Sequence, residues 1–530
     1  MSSAIFQLQT YNQQDQYLTM HPEMTYFLVK YKRYTQFAIE SVPVSFSTTP
    51  AWGRTASAIL PYAGDLLWKI FLVVDLPAIT SNSGGYIGRW TDKVGYALTK
   101  SIQLTIGGNV IDIHYTPYMI MNAELSTEEN HMDALNSLIG HVDECTGRYY
   151  FRRPSYRLHI PLQFWFCQDP GLSLPMIAMK SSQVMITVDF RKFSELWINC
   201  FVSEIGNMLD DSSVPKEIEA FLMCEYIWLS RQEQTLFTTR ALEYTITQTQ
   251  AYRDFNITNG NTSLLSYSLN TYNIPIRFSH PVKCLLWCFQ KESHIDTPTE
   301  QNKWIGNQWN NFSVTTFSPA DIGFTNSKPL SYIPSWKSTL TRDSNTTGVT
   351  LSSEILNWSS FDFAQDGPIE TCQIMFNDLA YTPLQNGDYF NRVQTYVHFR
   401  RIPDSPGIYC YSFALNASDA QPSGTLNFSS LNRVNLRFTL KAQIENAKCL
   451  YSEALNTVLP QQSIYDNEYT RPTDAVNNIF TKYLVKNTGQ FISPLSGTDT
   501  LQSSFLLNIY AVNYNVFRVA NSIGNVAYVA

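Results

Sequence analysis

Apolar and polar residues alternate with a period of two over most of this chain, in runs too short for long helices. In IPLQFWF, Ile160, Leu162, Phe164 and Phe166 fall on one side while Gln163 and Trp165 fall on the other. Val184, Ile186, Val188 and Phe190 alternate likewise against Met185, Thr187 and Asp189. Both runs predict half-buried strands. Between them Asp169-Pro170-Gly171 is turn chemistry, because Pro170 presets φ and Gly171 is free to take φ > 0, and Pro175 discourages a long helix across the gap. In SIQLTIGGNVIDIHY, Gly107-Gly108 separates two alternating runs and predicts a hairpin with a tight turn. GIYCYSFAL, NRVNLRFTL and FLLNIYAVNYNVFRVA continue the pattern, with Val434, Leu436, Phe438 and Leu440 forming one inward face.

Helical signals are few. Ser126-x-x-Glu129 reads as a capping box, followed by Met132, Leu135 and Ile139 at helical spacing and Gly140 as a stop. A second helix is predicted from Ser230-x-x-Glu233 to about Arg240, between the strands FLMCEYIWL and EYTITQTQ, where it would link two β domains. Two stretches break the strand rhythm: Lys291 to about Phe361, rich in Ser, Thr, Asn and Trp, and Tyr451 to about Thr500, which contains Pro460, Pro472 and Pro494. Loops of such length are uncommon unless they serve a surface role or carry structure of their own.

A length of 530 residues accommodates two sandwiches with long loops. Aromatics at 14% with only 15% charged residues fit either burial against other chains or the ordinary use of Tyr and Phe in strands. The net charge is −7 and the first 29 residues contain no Lys or Arg, so the basic arm expected of a coat protein that packs nucleic acid directly is missing. Lys30, Lys32 and Arg33 are read as a solvated face, and direct nucleic-acid contact is disfavoured. No apolar run approaches the 18 or so residues of a membrane span, the longest being strand-sized, such as Ile70 to Val74. MSSAIFQLQTYNQQ has no cationic start followed by an apolar core, so the chain is expected to fold in the cytosol. Nine scattered cysteines then fit reduced, buried thiols better than a disulfide framework.

Catalytic spacings such as HExxH, the P-loop, GxSxG and paired CxxC are absent from the sequence, and SGGYIG at Ser83 to Gly88 lacks a strand-to-helix context. The best metal candidate is His131, His141 and Cys145 with Asp133, Asp143 and Glu144 nearby, weighed against a polar helix face and loop, which is the expected reading. Cys284 and Cys288 would share a strand face, but one pair cannot complete a zinc site. Asp362 with Asp366, and Asp210 with Asp211, sit in polar stretches where adjacent acids rarely catalyse. No catalytic residue, metal or cofactor is therefore expected. Asn-x-Ser/Thr sequons occur at Asn256, Asn261, Asn311, Asn345, Asn357, Asn416 and Asn427; Asn311, Asn345 and Asn357, in the first polar stretch, are the candidate glycan attachment sites.

As literal sequence, HIPLQFWFCQDPGLSLPMIAMKSSQVMITVDFR closely resembles the IPLQFWF…PGLALPLIAL…FR signature of the major capsid proteins of large eukaryotic double-stranded DNA viruses. DQYLTMHPEMTYFLVKYKRYTQFAIES is similar to the family's D-x-YLT…YKRHTNFA-x-E block, and IRFSHPVKCLLWCFQ to its HPVKELIWVFQ-like strand. GDYFNRVQTYVHFRRIPDSPGIYCYSFALNASDAQPSGTLNFSSL resembles the Y-x-F-ALKPEEHQPSGT-x-NFSR block, and NIYAVNYNVFRVANSIGNVAYV the closing YA-x-NYNVLR…GLAY. These blocks span nearly the whole chain in the family's order. Two depart from it: the acidic D-x-DERRRFA linker appears as SRQEQTLFT, and KPEEHQPSG as NASDAQPSG.

The resemblance implies an all-β chain of two consecutive eight-stranded jelly-roll sandwiches, a double jelly roll with short helices and long loop insertions. It implies an N-terminal arm over 1–24, a first jelly roll over 25–229, a linker helix over 230–240 and a second jelly roll over 241–530, with surface insertions near 291–361 and 451–500. It also implies a structural, non-enzymatic capsid protein of the virion, made in the host cytoplasm and assembled as a homotrimeric, pseudo-hexagonal capsomer of an icosahedral shell. Its partners would be neighbouring capsomers, minor capsid and penton proteins and, indirectly, an internal membrane. The main rival is a jelly-roll carbohydrate-binding protein that stacks sugars on Trp304, Trp309, Trp336 and Trp358. A weaker one is a glycosidase built on two facing carboxylates.

Overall fold

The computed structural model describes Ile5, Gln9 and Thr10 and residues 13–80, 89–146, 152–198, 214–258, 271–295, 307–312, 367–405, 407–440 and 504–528. Eight strands build a first sandwich: β1 (Phe37–Ser45), β2 (Thr55–Ile59), β3 (Leu66–Leu76), β4 (Thr99–Ile106), β5 (Asn109–Tyr115), β6 (Tyr156–Pro161), β7 (Val184–Phe190) and β8 (Glu219–Leu229). Eight more build a second: β9 (Leu242–Thr258), β10 (Thr271–Ile276), β11 (Pro281–Lys291), β12 (Ile369–Phe376), β13 (Leu379–Ala380), β14 (Ile408–Ser412), β15 (Val434–Leu440) and β16 (Ser504–Ala520). The sheets of the first run β1-β8-β3-β6 and β2-β7-β4-β5, and those of the second run β9-β16-β11-β14 and β10-β15-β12-β13. Adding eight to every strand number of the first sandwich gives the second. Short accessory strands at Gln385–Asn386, Leu426–Asn427 and Ile523–Val526 extend the second pair of sheets.

The alternation read from the sequence sets the faces. In β7, Val184, Ile186, Val188 and Phe190 are buried while the residues between them are partly exposed; Val434, Leu436, Phe438 and Leu440 do the same in β15. The β4–β5 hairpin turns through Gly107 and Gly108, both at positive φ (58° and 86°), as the twist of paired strands requires of a two-residue loop.

Three local expectations differ. The strand entering IPLQFWF ends at Pro161, and the chain continues through single 3-10 turns at Trp165–Cys167, Pro170–Leu172 and Met176–Ala178. Trp165 is therefore buried along with Phe164 and Phe166 instead of facing away from them. The turn chemistry itself holds, since the Gly171 N–H donates to Asp169 Oδ1 at 2.7 Å. Ser126 is no cap: it closes a helix that the pattern did not predict, α1 (Thr116–Ser126), and its hydroxyl donates to the Asn122 carbonyl within that helix. The helix that follows, α2 (Glu129–Leu138), has Glu128 at its N-cap and ends ahead of Gly140 at φ +76°, as expected. The linking helix α3 (Arg231–Thr239) forms where predicted, but its capping box does not, because the Ser230 side chain makes no cap bond and Glu233 Oε1 accepts from Thr35 Oγ1 at 2.7 Å.

The two sandwiches meet through one sheet. In β11, Leu285, Trp287 and Phe289 point into the second sandwich's own core, whereas Cys284, Leu286 and Cys288 point the other way and join the core of the first. Ile408 and Cys410 of β14 and Tyr510 and Val512 of β16 complete that outer face. Strands buried on both faces read as continuous apolar runs instead of alternating ones, as CLLWCF does. Helix α1 is wedged against the seam with nine of its eleven residues buried, which explains why no amphipathic period announced it. Its Tyr118 ring lies 5.7 Å from that of Tyr510, and Trp165 lies 5.8 Å from Phe517 near the end of β16.

Because both cores share this sheet, thermal unfolding should be one cooperative transition covering both sandwiches. Leu286→Ala, which opens a cavity in the seam, should destabilise the whole by about 2–5 kcal/mol. Calorimetry checks this; two separate transitions, only one of them moved by the substitution, would contradict the shared core.

Candidate functional site

The residues singled out as possible chemistry are dispersed by the fold. His131 is exposed on α2, with Nδ1 3.7 Å from Glu128. His141 is half-buried beyond the Gly140 turn, its side chain 9% exposed, and desolvation pulls its pKa below the ordinary value against the opposing pull of Asp92. Cys145 is also buried, its thiol pushed up to about 12 by burial. Among the described residues no three His, Cys, Asp or Glu side chains converge as a metal site, so the grouping of His131, His141 and Cys145 is not formed. Asp133 and Glu144 contribute backbone carbonyls, to Ser137 Oγ at 3.0 Å and to Arg153 Nη1 at 3.1 Å.

Cys284 and Cys288 do share a strand face, yet that face is the seam, and burial pushes both thiols up, Cys284 to about 12. Asp210, Asp211, Asp362, Asp366, Asn261, Asn345, Asn357, Trp304, Trp336 and Trp358 lie outside the described residues. Asn311 is half-buried and its Nδ2 donates to Gln308 Oε1 at 2.8 Å. Asn416 donates to Asp419 Oδ2 at 2.6 Å, Asn427 caps the Ser429 N–H at 3.0 Å, and Asn256 stands within β9 opposite Leu506.

Trp309 is committed elsewhere than to a sugar. Its indole N–H donates to the Glu195 carbonyl at 2.7 Å, and the Arg191 guanidinium carbon stands 3.7 Å from its ring centroid. It belongs to the segment 307–312, which lies within what the sequence presents as a polar insertion and instead docks on the first sandwich. Asn307 Nδ2 donates to the carbonyls of Ser194 (2.7 Å) and Trp197 (2.9 Å), while its own carbonyl accepts from Thr91 Oγ1 at 2.6 Å. Phe312 is fully buried, so close to Gly407 that a Cβ there would fall 1.9 Å from the Phe312 carbonyl oxygen. The spacing of Trp309 and Phe312 was the one available sign that this stretch packs.

What the described residues do assemble is a polar frame around the apolar seam. Asp112 Oδ1 accepts the N–H groups of Ile113 (2.9 Å) and Thr249 (3.0 Å), with Oδ2 at 3.0 Å from His114 Nε2. Gln248 Nε2 donates to the Ile111 carbonyl at 2.6 Å, tying β9 to β5. Arg401 Nη2 donates to both carboxylate oxygens of Asp404, at 2.7 and 2.8 Å, and its Nε reaches Glu129 of α2. Lys93 pairs with Glu124, which accepts in addition from the Ser405 N–H at 3.3 Å. Of these, the bonds of Asp112 to Thr249, Gln248 to Ile111, Arg401 to Glu129 and Glu124 to Ser405 cross from one sandwich to the other at fixed positions, so the seam has a register as well as an area.

The outer surface offers a contrasting feature. Tyr17, Leu18, Tyr26, Phe27, Tyr31 and Tyr34 precede β1 with almost nothing of the chain against them, Phe27 being 98% exposed and Tyr17 96%. Lys30, Lys32 and Arg33 are exposed on the same segment, in accord with a solvated face. An aromatic arm in water beside β1, which among the described residues pairs with β8 alone, is the kind of surface that another chain covers.

Comparison with known proteins matches residues 25–230 to the major capsid protein N-terminus and residues 233–465 to the large eukaryotic DNA virus major capsid protein. The chain belongs to this family of viral capsid proteins. The major capsid protein of Phaeocystis pouchetii virus is 26% identical over 588 aligned positions, covering 100% of both chains, and that of Paramecium bursaria Chlorella virus 1 is 27% identical over 535, again covering both. Capsid protein 1 of Acanthamoeba polyphaga mimivirus is 34% identical over 304 positions, 54% of this chain and 48% of that one. Among solved structures, the quasi-atomic PBCV-1 capsid gives a TM-score of 0.64 at 23% identity, covering 96% of this chain and 100% of that one. The Faustovirus major capsid protein gives 0.59 at 11% identity, covering 98% and 96%. The all-β double jelly roll expected from the resemblance is thus the fold, and the chain is a structural component of a virion capsid.

Two measurements probe these environments. Seven of the nine cysteines are described, and all seven are free and buried or half-buried, so at pH 8 a disulfide reagent should modify at most two thiols per native chain quickly and all nine after denaturation. His141 is held neutral, its native pKa lowered below the unfolded 6.5. Its contribution to stability is therefore complete above about pH 6.5 and is lost as the pH falls toward and through the lowered value, where the unfolded chain binds the extra proton. Melting temperatures from about pH 7 to about pH 5 should fall less steeply for His141→Gln than for the native chain.

Proposed function

We propose that this capsid protein assembles as a homotrimer with a pseudo-hexagonal outline and tiles the faces of an icosahedral shell. The observation that carries the reading is the repetition by eight. Two sandwiches of the same strand order, joined at a fixed register by a shared core, give each chain two similar wedges, and three chains give six. A threefold object then presents a nearly sixfold perimeter, which is what hexagonal packing on a flat face requires. The division into an arm over 1–24, wedges over 25–229 and 241–530 and a linker over 230–240 follows the same logic. Helix α3 is held to the first wedge by Asp65, whose Oδ2 accepts from the Leu229 N–H (2.7 Å) and Gln234 Nε2 (2.9 Å).

The aromatic arm and the β1 edge would be covered on assembly, by neighbouring capsomers and by minor capsid and penton proteins, with any internal membrane met only indirectly. A net charge of −7 and an arm without cations before Lys30 support a shell protein that leaves the genome to other components. Synthesis and assembly in the host cytoplasm fit the reduced state of the described thiols. The insertions near 291–361 and 451–500 would supply the outward surface, where Asn311, Asn345 and Asn357 would be the positions to examine for glycans. With Trp309 occupied by Arg191 and Glu195, no described feature favours a carbohydrate-binding protein instead.

The purified protein should sediment as a species three times the 60.6 kDa chain mass, with a hexagonal outline in electron micrographs viewed down the threefold axis. Stable monomers with a single globular lobe would overturn the proposal.

A further inference from the structure

The cleft between the two sandwiches widens into a cavity of about 530 Å³, bounded by α1 and the 161–169 segment on one side and by β11 and the 417–421 loop on the other. Its wall contains Lys283, which is only 3% exposed. The Lys283 ammonium donates to the Asp419 backbone carbonyl at 2.7 Å, and no carboxylate lies within 4 Å of it among the described residues. Its other contact is the Tyr514 ring, whose centroid lies 5.6 Å away; an ammonium has three donors, so a buried one with a single hydrogen-bond partner and a distant ring face is poorly compensated for its lost hydration. Burial lowers the Lys283 pKa accordingly, opposed by Cys284 and Asp419. The Ser418 hydroxyl on the same wall is buried without a partner.

The other charges lining the cavity are Arg400, Asp169 and Asp419, and both acids are already engaged. Asp419 accepts from Asn416 Nδ2 at 2.6 Å and Arg400 Nη2 at 3.3 Å, and Asp169 from the Gly171 N–H at 2.7 Å. Lys283 thus stands as an unneutralised cation in the wall, while two carboxylates oppose any anion of high charge. The rest of the lining is mixed: Leu286, Val512 and Phe399 form an apolar patch, and Asn122, Gln163 and Gln168 add uncharged polar groups.

We propose that this cleft binds a small organic monocarboxylate, with its carboxylate on the Lys283 ammonium and its apolar body against Leu286, Val512 and Phe399. Cavities of this size accommodate such ligands, and one placed here touches both sandwiches, so its binding would tighten the seam. The test uses benzoate as the probe and benzyl alcohol as its neutral counterpart, titrated calorimetrically into the full-length assembled protein. Benzoate should bind saturably, one per chain, and both benzyl alcohol binding and benzoate binding to Lys283→Met should be at least about tenfold weaker, as expected for loss of a charge-assisted hydrogen bond. Met keeps the length of the lysine stem, and Val512→Phe fills the apolar end without touching a charge. It should also block benzoate, which keeps the test decisive if Lys283→Met does not fold. No saturable binding to the native protein, or equal binding by native protein and either folded variant, would overturn the proposal.

Discussion

The arrangement depends on one sheet, β9-β16-β11-β14, that must be apolar on both sides. A sheet with one wet face can sit anywhere on a surface; one whose two faces belong to two cores cannot move without opening both. Leu285, Trp287 and Phe289 hold it from one side and Cys284, Leu286 and Cys288 from the other. The hydrophobic effect supplies the attraction but has no direction, so the angle between the sandwiches needs directional bonds. These come from Asp112 to the Thr249 N–H, Gln248 to the Ile111 carbonyl and the pairing of Arg401 with Glu129 at the rim of the seam.

This double burial also decides what could be read in the sequence. Where a strand has one dry face, as β7 and β15 do, alternation shows it directly, and the diglycine hairpin is legible because its turn demands positive φ. Where burial is all round, periodicity carries no information. Helix α1 gives no signal for that reason, and alternation places Trp165 on the wrong side because a 3-10 turn with both flanks packed resembles the end of a strand. Spacing puts Cys284 and Cys288 on a common face, as the structure has them, but one chain's spacing does not distinguish a ligand pair from a second core.

Residues with chemical potential were read by type, and the fold decides their use by environment. Cys145 is inside, His141 half-buried and His131 outside, a separation set by the reversal at Gly140 that no spacing rule encodes. Trp309 resembles a sugar platform until Arg191 is found on its face. Asn307, with φ at +64° and both its amide and its carbonyl engaged, anchors part of an apparently polar insertion to the other half of the molecule. Recognition of the family came from literal spelling across many blocks and did not depend on resolving any of these points.

The pairing of β16 with β9 bears on how the molecule is made. Val519 sits opposite Leu242 and Ser504 opposite Thr258, so the middle of the seam sheet is filled by a strand synthesised some 250 residues after its neighbour. On the ribosome all eight strands of the first sandwich are present once β8 has emerged, whereas β9 and β11 must wait, with their apolar faces unpaired, for β16 to be translated. Closure over so long a loop is slow, and unpaired strands of this kind are prone to wrong partners. The chain therefore has a vulnerable interval late in its own synthesis, during which a chaperone or crowding by sister chains has its greatest effect on yield.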